Sequence, residues 1–338
     1  MHEASLGLLM ILLAGAMNGS FAVPMKVTRR WAWENTWLMW TIFGLFVLPP
    51  LTTAATIPDM TGVYRDSGFG IVAIVAACGA GWGISVVFLG LAIEAVGVAV
   101  SFSIMLGLSA AVGSLIPLLS LHSDKIATPA GIVVLWGLAL VLVGVGICAV
   151  AGKQRETALG VGAPGRPSIV KGLIFCVIGG LGSALVNLGL AFGGPILKAA
   201  QAHGATLVSS SNAAFFPLML AGGIPSLIYC VYLIRKNRTA NRFSEAGTSY
   251  YWLFAALMAV LWFGSTILYG SAATSLGQLG AVLGWPLFMS VIVITAAVWG
   301  VITGEWRGSG RKPRIVMACG VTILVVAIFV LSLAGRQV

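Results

Sequence analysis

The chain has 338 residues, of which 59% are hydrophobic and only 8% are charged, and its mean hydropathy is +1.03. A soluble domain of this length needs far more polar surface, so the composition excludes one and indicates an integral membrane protein. The net charge of +10 does not indicate nucleic acid binding, because the basic residues stand in short clusters between apolar runs, as they do in membrane proteins.

Ten apolar segments are long enough to cross the roughly 30 Å hydrocarbon core of a bilayer. They are predicted at residues 5–25, 36–56, 69–92, 98–120, 129–150, 169–192, 206–234, 250–273, 278–302 and 315–334. Because these segments nearly exhaust the chain, no soluble domain is expected. The predicted fold class is an all-α integral membrane protein with ten transmembrane helices.

The basic residues predict how these helices are oriented. The connections that follow odd-numbered helices hold 15 of the 19 Lys and Arg residues. Because positive charge accumulates on the cytoplasmic side of membrane proteins, these connections are predicted to be cytoplasmic and both termini extracytoplasmic.

Two segments resemble each other at an offset of 180 residues: WGISVVFLGLAIEAVG at 82–97 and WFGSTILYGSAATSLG at 262–277. Each lies in the third helix of a set of five. Since five is odd, the second set must run inverted relative to the first, which is the architecture of many secondary transporters. We therefore expect a first repeat at 1–152, a cytoplasmic linker at 153–168 and a second repeat at 169–338. Chance matching of small residues in apolar helices is the alternative.

The polar side chains of the predicted membrane interior are uncharged, since all nine acidic residues fall in connections or near helix ends. Amides and hydroxyls can bind hydroxyl groups, and Trp faces can stack on sugar rings, so a neutral polyhydroxylated solute is the natural match. The residues expected to bind substrate are Asn18, Trp82, Ser85, Asn187, Trp262, Ser265, Tyr269, Gln278 and Trp285. Each of them could instead simply hold neighbouring helices together.

Enzyme chemistry and metal binding find little support in the sequence. The three histidines, His2, His122 and His203, stand alone in connections or near the terminus, without a Cys or an acid at metal-ligand spacing. The five cysteines form no CxxC pair and their number is odd, which argues against a disulfide or metal framework. No cofactor is expected. A non-transporting membrane sensor is a further alternative.

Three motifs carry a family resemblance: PMKVTRRWAWENTW at 24–37, GAGWGI at 79–84 and GEWRGSGRKPRIV at 304–316. In these motifs and in its ten-helix plan the chain resembles the L-rhamnose–proton symporter family of the drug/metabolite transporter superfamily. The resemblance covers nearly the whole chain. It implies uptake of L-rhamnose or a related neutral sugar with protons through the inner membrane, by alternating access between two inverted five-helix units.

The resemblance leaves the coupling site and the exact solute open. Glu34, Glu94 and Glu305 are the acids on or near the motifs, so they are the candidates for proton coupling; pairing with basic neighbours such as Arg30 and Arg307 is the alternative. The stretches SVVFLG at 85–90 and LGAVLG at 279–284 are more apolar than the family pattern. Another sugar, or export of a small amphipathic metabolite, therefore stays open, as do uniport and the oligomeric state.

Overall fold

The computed structural model describes residues 2–160 and 169–334, which form thirteen α-helices and no strand in this part of the chain. The helices are α1 (His2–Ser20), α2 (Trp33–Thr41), α3 (Leu48–Thr56), α4 (Met60–Ser67), α5 (Phe69–Val96), α6 (Val98–Leu121), α7 (Pro129–Ala158), α8 (Ile169–Phe192), α9 (Gly194–Ala202), α10 (Ser211–Asn237), α11 (Tyr251–Ser275), α12 (Gly280–Ile302) and α13 (Arg311–Ala334).

Ten segments of the described chain are long and apolar enough to span a membrane, which confirms the predicted ten-helix fold class. The second of them, Trp33–Thr56, comprises α2, a π-helical turn over Ile42–Val47, and α3. The fifth is longer than predicted, because α7 continues to Ala158 and so includes the start of the predicted linker; residues 161–168 of that linker lie outside the described residues. The short helices α4 and α9 were not predicted.

The helix contacts recur in pairs. α5 packs on α8 and α10, while α11, which corresponds to α5 five spans later, packs on α1 and on the second span. In the same way α6 packs on α8, and its counterpart α12 packs on α1. α7 and its counterpart α13 pack on each other. This pattern is compatible with two inverted five-helix units.

Glycines set the close approach of α5 to its neighbours. A Cβ atom placed on Gly79 would come within 1.9 Å of the Leu218 carbonyl oxygen, and one on Gly83 within 2.1 Å of the Gly222 carbonyl oxygen. Only glycine allows α10 to lie this close to α5, which is how small residues pack membrane helices.

The two matched helices of the repeat also end in the same way. α5 ends at Gly97, which has φ of +89°, and α11 ends before Gly277, the matching residue, which has φ of +73°.

The connections rich in basic residues meet at one end of the bundle, which we call the basic end. Arg30 lies after α1 and its Nη2 is 2.8 Å from Glu245 Oε1, between α10 and α11. Arg155, at the end of α7, has its Nη1 3.0 Å from Glu305 Oε2, after α12. These pairs bring together the connections that sequence charge assigns to one side of the membrane.

Candidate functional site

Two tryptophans meet at the centre of the bundle. Trp82 on α5 and Trp262 on α11 stack with ring centroids 5.2 Å apart and an interplanar angle of 16°. Both are at least nine-tenths buried. A Cβ on Gly222 of α10 would come within 2.7 Å of the Trp82 ring, so a glycine there gives the indole its space. The two residues matched by the internal repeat thus form one aromatic contact between the two halves of the chain.

Asn18 and Ser265 lie beside this stack. Asn18 Nδ2 on α1 donates to Ser265 Oγ at 2.9 Å, and Ser265 Oγ in turn donates to the carbonyl oxygen of Trp262. Ser85 on α5 makes the bond equivalent to that of Ser265, because its Oγ donates to the Trp82 carbonyl oxygen at 2.6 Å. Asn18 is half-buried and both serines are buried. We call Asn18, Trp82, Ser85, Trp262 and Ser265 the central cluster.

Asn187, Tyr269 and Trp285 form a second group, which we call the asparagine cluster. Asn187 Nδ2 donates to the carbonyl oxygens of Gly113 at 2.8 Å and Ala281 at 3.0 Å, and the Tyr269 hydroxyl donates to Asn187 Oδ1. Trp285 packs against Tyr269 with ring centroids 5.3 Å apart. Asn187 is fully buried. The hydrogen bonds of its amide connect α8 to α6, α11 and α12.

Gln278 lies apart from these clusters, in a 3-10 turn over Gly277–Leu279 at the end of the bundle opposite the basic end. Its side chain is exposed. It lines a cavity of about 140 Å³ together with residues such as Pro117, His122 and Thr274. This cavity therefore lies near that end of the helices, rather than midway along them.

Two of the three acids predicted for proton coupling, Glu34 and Glu305, have partners other than Arg30 and Arg307. Glu34 Oε1 accepts hydrogen bonds from Asn237 Nδ2 at 2.9 Å and Thr239 Oγ1 at 3.0 Å, and its side chain is buried. The alternative of a pairing with Arg30 is therefore not what the structure contains; Arg30 pairs with Glu245. The side chain of Glu94 lies outside the described residues.

Glu305 binds two basic residues of the first half of the chain, Lys26 and Arg155, instead of its neighbour Arg307. The Arg155 guanidinium also lies over the Trp306 ring, 5.4 Å from its centroid. Burial raises the pKa of Glu305, but the contacts with Lys26 and Arg155 outweigh it and hold the pKa below its usual value. Glu305 is thus an ionised cross-link between the two halves at the basic end.

Sequence reasoning missed Trp40, which extends the central cluster. Trp40 on α2 meets Trp262 edge to face, with centroids 5.1 Å apart, and is 1% exposed. Its Nε1 is buried with no hydrogen-bond partner. A Cβ placed on Gly44 would lie 3.8 Å from that nitrogen and 3.5 Å from the Ala259 Cβ, so a small group fits beside the indole N–H.

A local irregularity of the second span lies next to Trp40. The π-helical turn Ile42–Val47 begins two residues later, and the Leu48 N–H bonds the Phe43 carbonyl five residues back. Such turns inside α-helices often mark functional sites. The signal in the sequence is the pair Pro49-Pro50: neither residue has an N–H, and each ring clashes with a carbonyl one turn earlier.

The description of the three histidines as isolated is wrong for His203. Its ring lies between Asp59 and Asp66, with Nδ1 3.1 Å from Asp59 Oδ2 and Nε2 2.8 Å from Asp66 Oδ2. These acids are more than 130 residues away in the chain, so no spacing rule in the sequence would have paired them. The contact lies at the end of the bundle opposite the basic end, between α4 and α9.

Comparisons with known proteins match this chain over nearly its whole length. The family model described as L-rhamnose-proton symport protein (RhaT) matches residues 1–336. A protein named L-rhamnose-proton symporter from Yersinia pestis (strain Pestoides F) is 28% identical over 335 residues, which cover 97% of each chain. A protein of the same name from Klebsiella pneumoniae subsp. pneumoniae is 26% identical over 341 residues, covering 98% of each chain. With ten apolar spans and a family match over nearly its entire length, this multi-pass membrane protein belongs to the L-rhamnose-proton symport protein (RhaT) family.

Proposed function

We propose that this protein is a secondary transporter, not an enzyme, that imports L-rhamnose or a related neutral sugar together with protons. The observation that carries the proposal is the central cluster, in which a buried tryptophan pair from the two halves of the chain lies beside the amide of Asn18. Family membership supports the same substrate class, since the relatives are named for L-rhamnose and protons.

The chemistry of the cluster suits a neutral solute. Its side chains are indoles, hydroxyls and one amide, which donate and accept hydrogen bonds but carry no charge. The indole faces of Trp82 and Trp262 offer apolar area to the C–H face of a sugar ring, and Asn18 and Trp40 offer N–H groups to its hydroxyls. In this proposal sugar enters by separating the two stacked rings, and the asparagine cluster positions the helices around it.

The proposed transport cycle is a movement of the two halves of the chain relative to each other. The units 1–152 and 169–338 rock against each other around the central cluster, so that the site opens first to one side and then to the other. The basic end faces the cytoplasm of the inner membrane, as the positive charge of its connections favours, and both termini are extracytoplasmic. Impermeant thiol reagents applied to intact cells, with single cysteines at the exposed positions Ser123 and Ser244, test this orientation.

Uptake of labelled L-rhamnose into proteoliposomes, with and without an inward proton gradient, tests the function. Accumulation that a protonophore collapses is the expected result. Equilibration that does not depend on the proton gradient would support the sugar as substrate and contradict proton coupling. Absence of flux from folded protein, or efflux of amphipathic compounds instead, would overturn sugar import. Competition by a panel of neutral hexoses and deoxyhexoses then ranks the substrates.

A further inference from the structure

The contact of His203 with two carboxylates requires a proton. Ionised carboxylates only accept hydrogen bonds, and Asp59 and Asp66 each face a different nitrogen of the ring. Both nitrogens can donate only when the imidazole is protonated. In a neutral imidazole, one nitrogen would direct its lone pair at a carboxylate oxygen, and that contact would become repulsive.

Groups of α4 also contact the two carboxylates. The Arg65 guanidinium is 3.5 Å from Asp66 Oδ1, and the Gly62 N–H donates to Asp59 Oδ1 at 2.9 Å, so each carboxylate has a further partner beside the imidazole. The hydrogen bond from His203 lowers the pKa of Asp66. α9 carries one further charge, Lys198, which lies about 140° around the helix from position 203.

The imidazole ring is more enclosed than the two carboxylates that it faces. The His203 side chain is 21% exposed, against 52% for each of the two aspartates. A Cβ placed on Gly62 would come within 2.4 Å of His203 Cε1, so the imidazole lies directly on the backbone of α4. Neighbouring Tyr64 donates its hydroxyl to the Ala213 carbonyl oxygen of α10 at 2.9 Å, which ties α4 to the second half of the chain.

The position of the contact gives it a role in the cycle. Asp59 and Asp66 belong to the first half of the chain and His203 to the second, and they meet at the end opposite the basic end. In a carrier with two moving halves, this end can open only when the contact breaks. A proton that binds the closed arrangement more tightly than the open one shifts the equilibrium towards closure.

We propose that His203, Asp59 and Asp66 form a proton-binding site that closes the extracytoplasmic end of the transporter when it is protonated. This inference rests on the proposed two-unit cycle and adds a proton site on the side from which protons would enter. Loss of the proton leaves a carboxylate facing a lone pair, and the end is released. Histidine is suited to this role because its charge changes between about pH 5 and 8.

The test measures the distance across this end without sugar or flux, so that it stands apart from the transport assay. Spin labels are placed on cysteines at Thr61 and Lys198, which are exposed on α4 and α9, in a Cys319→Ser background. Double electron–electron resonance of the full-length protein in nanodiscs is recorded at about pH 5.5 and about pH 8, a range that spans histidine titration. We expect the labels to separate at the higher pH.

Matched variants test whether His203 and Asp66 cause the pH-dependent separation of the labels. His203→Gln should abolish the pH-dependent separation, and Asp66→Asn should reduce it, whereas His122→Gln, a histidine at the same end, should leave it unchanged. A distance that does not depend on pH in the parent protein, or a pH response that survives in His203→Gln, would overturn the inference. Failure of rhamnose uptake alone would instead count against the proposed substrate.

Discussion

Polar atoms in the centre of the bundle differ in whether their hydrogen bonds are complete. The Asn187 amide makes three hydrogen bonds to the protein, so its side chain serves to connect helices. Trp40 Nε1 is equally buried and has no partner. A buried donor without a partner costs about 1–3 kcal/mol, and a substrate hydroxyl would recover that cost. We therefore propose that the two residues have separable roles, Asn187 in folding and Trp40 in binding.

Trp40→Phe tests the binding role, because phenylalanine keeps an aromatic ring against Trp262 and removes the N–H. We expect the KM for the transported sugar to rise about tenfold, the equivalent of one hydrogen bond of about 1.4 kcal/mol, with normal expression and folding. The control is Trp136→Phe on α7, since Trp136 is 68% exposed on the outside of the bundle. Equal KM values for Trp40→Phe and the parent protein would contradict the assignment.

Asn187→Leu tests the folding role by leaving the Tyr269 hydroxyl without its acceptor. We expect the protein to lose about 1–3 kcal/mol of stability, seen as a lower midpoint of thermal unfolding in detergent. The double variant Asn187→Leu/Tyr269→Phe removes both partners and should regain part of this loss. Asn241→Ala, in an exposed connection, is the control. A double variant that is less stable than Asn187→Leu would show that the pair does not act as described.

Hydropathy located the spanning elements well but not their irregularities. The ten spans follow from apolar runs, because a bilayer demands apolar residues over a fixed length. The end of α7 was placed too early, since Lys153 and Arg155 lie in helical turns beyond the apolar run. The π-helical turn and the short helices α4 and α9 do not change the average hydropathy of a segment, so that signal could not reveal them.

The residues of the candidate site also divide into those that could be predicted from the sequence and those that could not. The matched residues Trp82 and Trp262 were found because the repeat preserves residue type at a fixed offset. The partners of Glu305 and His203 depend on which connections meet at an end of the bundle, and local sequence does not contain that information. Trp40 could have been found from Pro49-Pro50, which marks a disturbed turn beside it.

The second span provides a prediction at the level of the element. Replacing Pro49 and Pro50 together by alanine restores two backbone N–H donors and removes the ring clashes, so the π-helical turn should revert to a regular α-helix. We expect unchanged or higher thermal stability and a several-fold lower transport turnover, because Trp40 would rotate relative to Trp262. Pro225→Ala in α10 is the matched control. Turnover equal to that of the parent would mean that the turn has no part in transport.

For the molecule as a whole, polar contacts join the two halves at both ends. At the basic end, Glu305 of the second half binds Lys26 and Arg155 of the first half, and Arg30 binds Glu245. At the other end, His203 binds its two aspartates. A carrier that alternates must break one set while it keeps the other.

Glu305→Gln tests the basic end, because it removes the charge that holds Lys26 and Arg155. The pKa of Glu305 in the closed end is below its usual value, so its contribution to closure is complete above the usual carboxyl pKa and is lost as pH falls through the lowered one. At neutral pH, Glu305→Gln should therefore favour opening of this end. Spin labels at Val27 and Arg307, both exposed, should show a longer distance in Glu305→Gln than in the parent protein. Asp124→Asn should leave the distance unchanged, because Asp124 pairs with Lys125 of its own connection. A Glu305→Gln protein with the parent's distance distribution would show that these ion pairs do not hold the basic end closed.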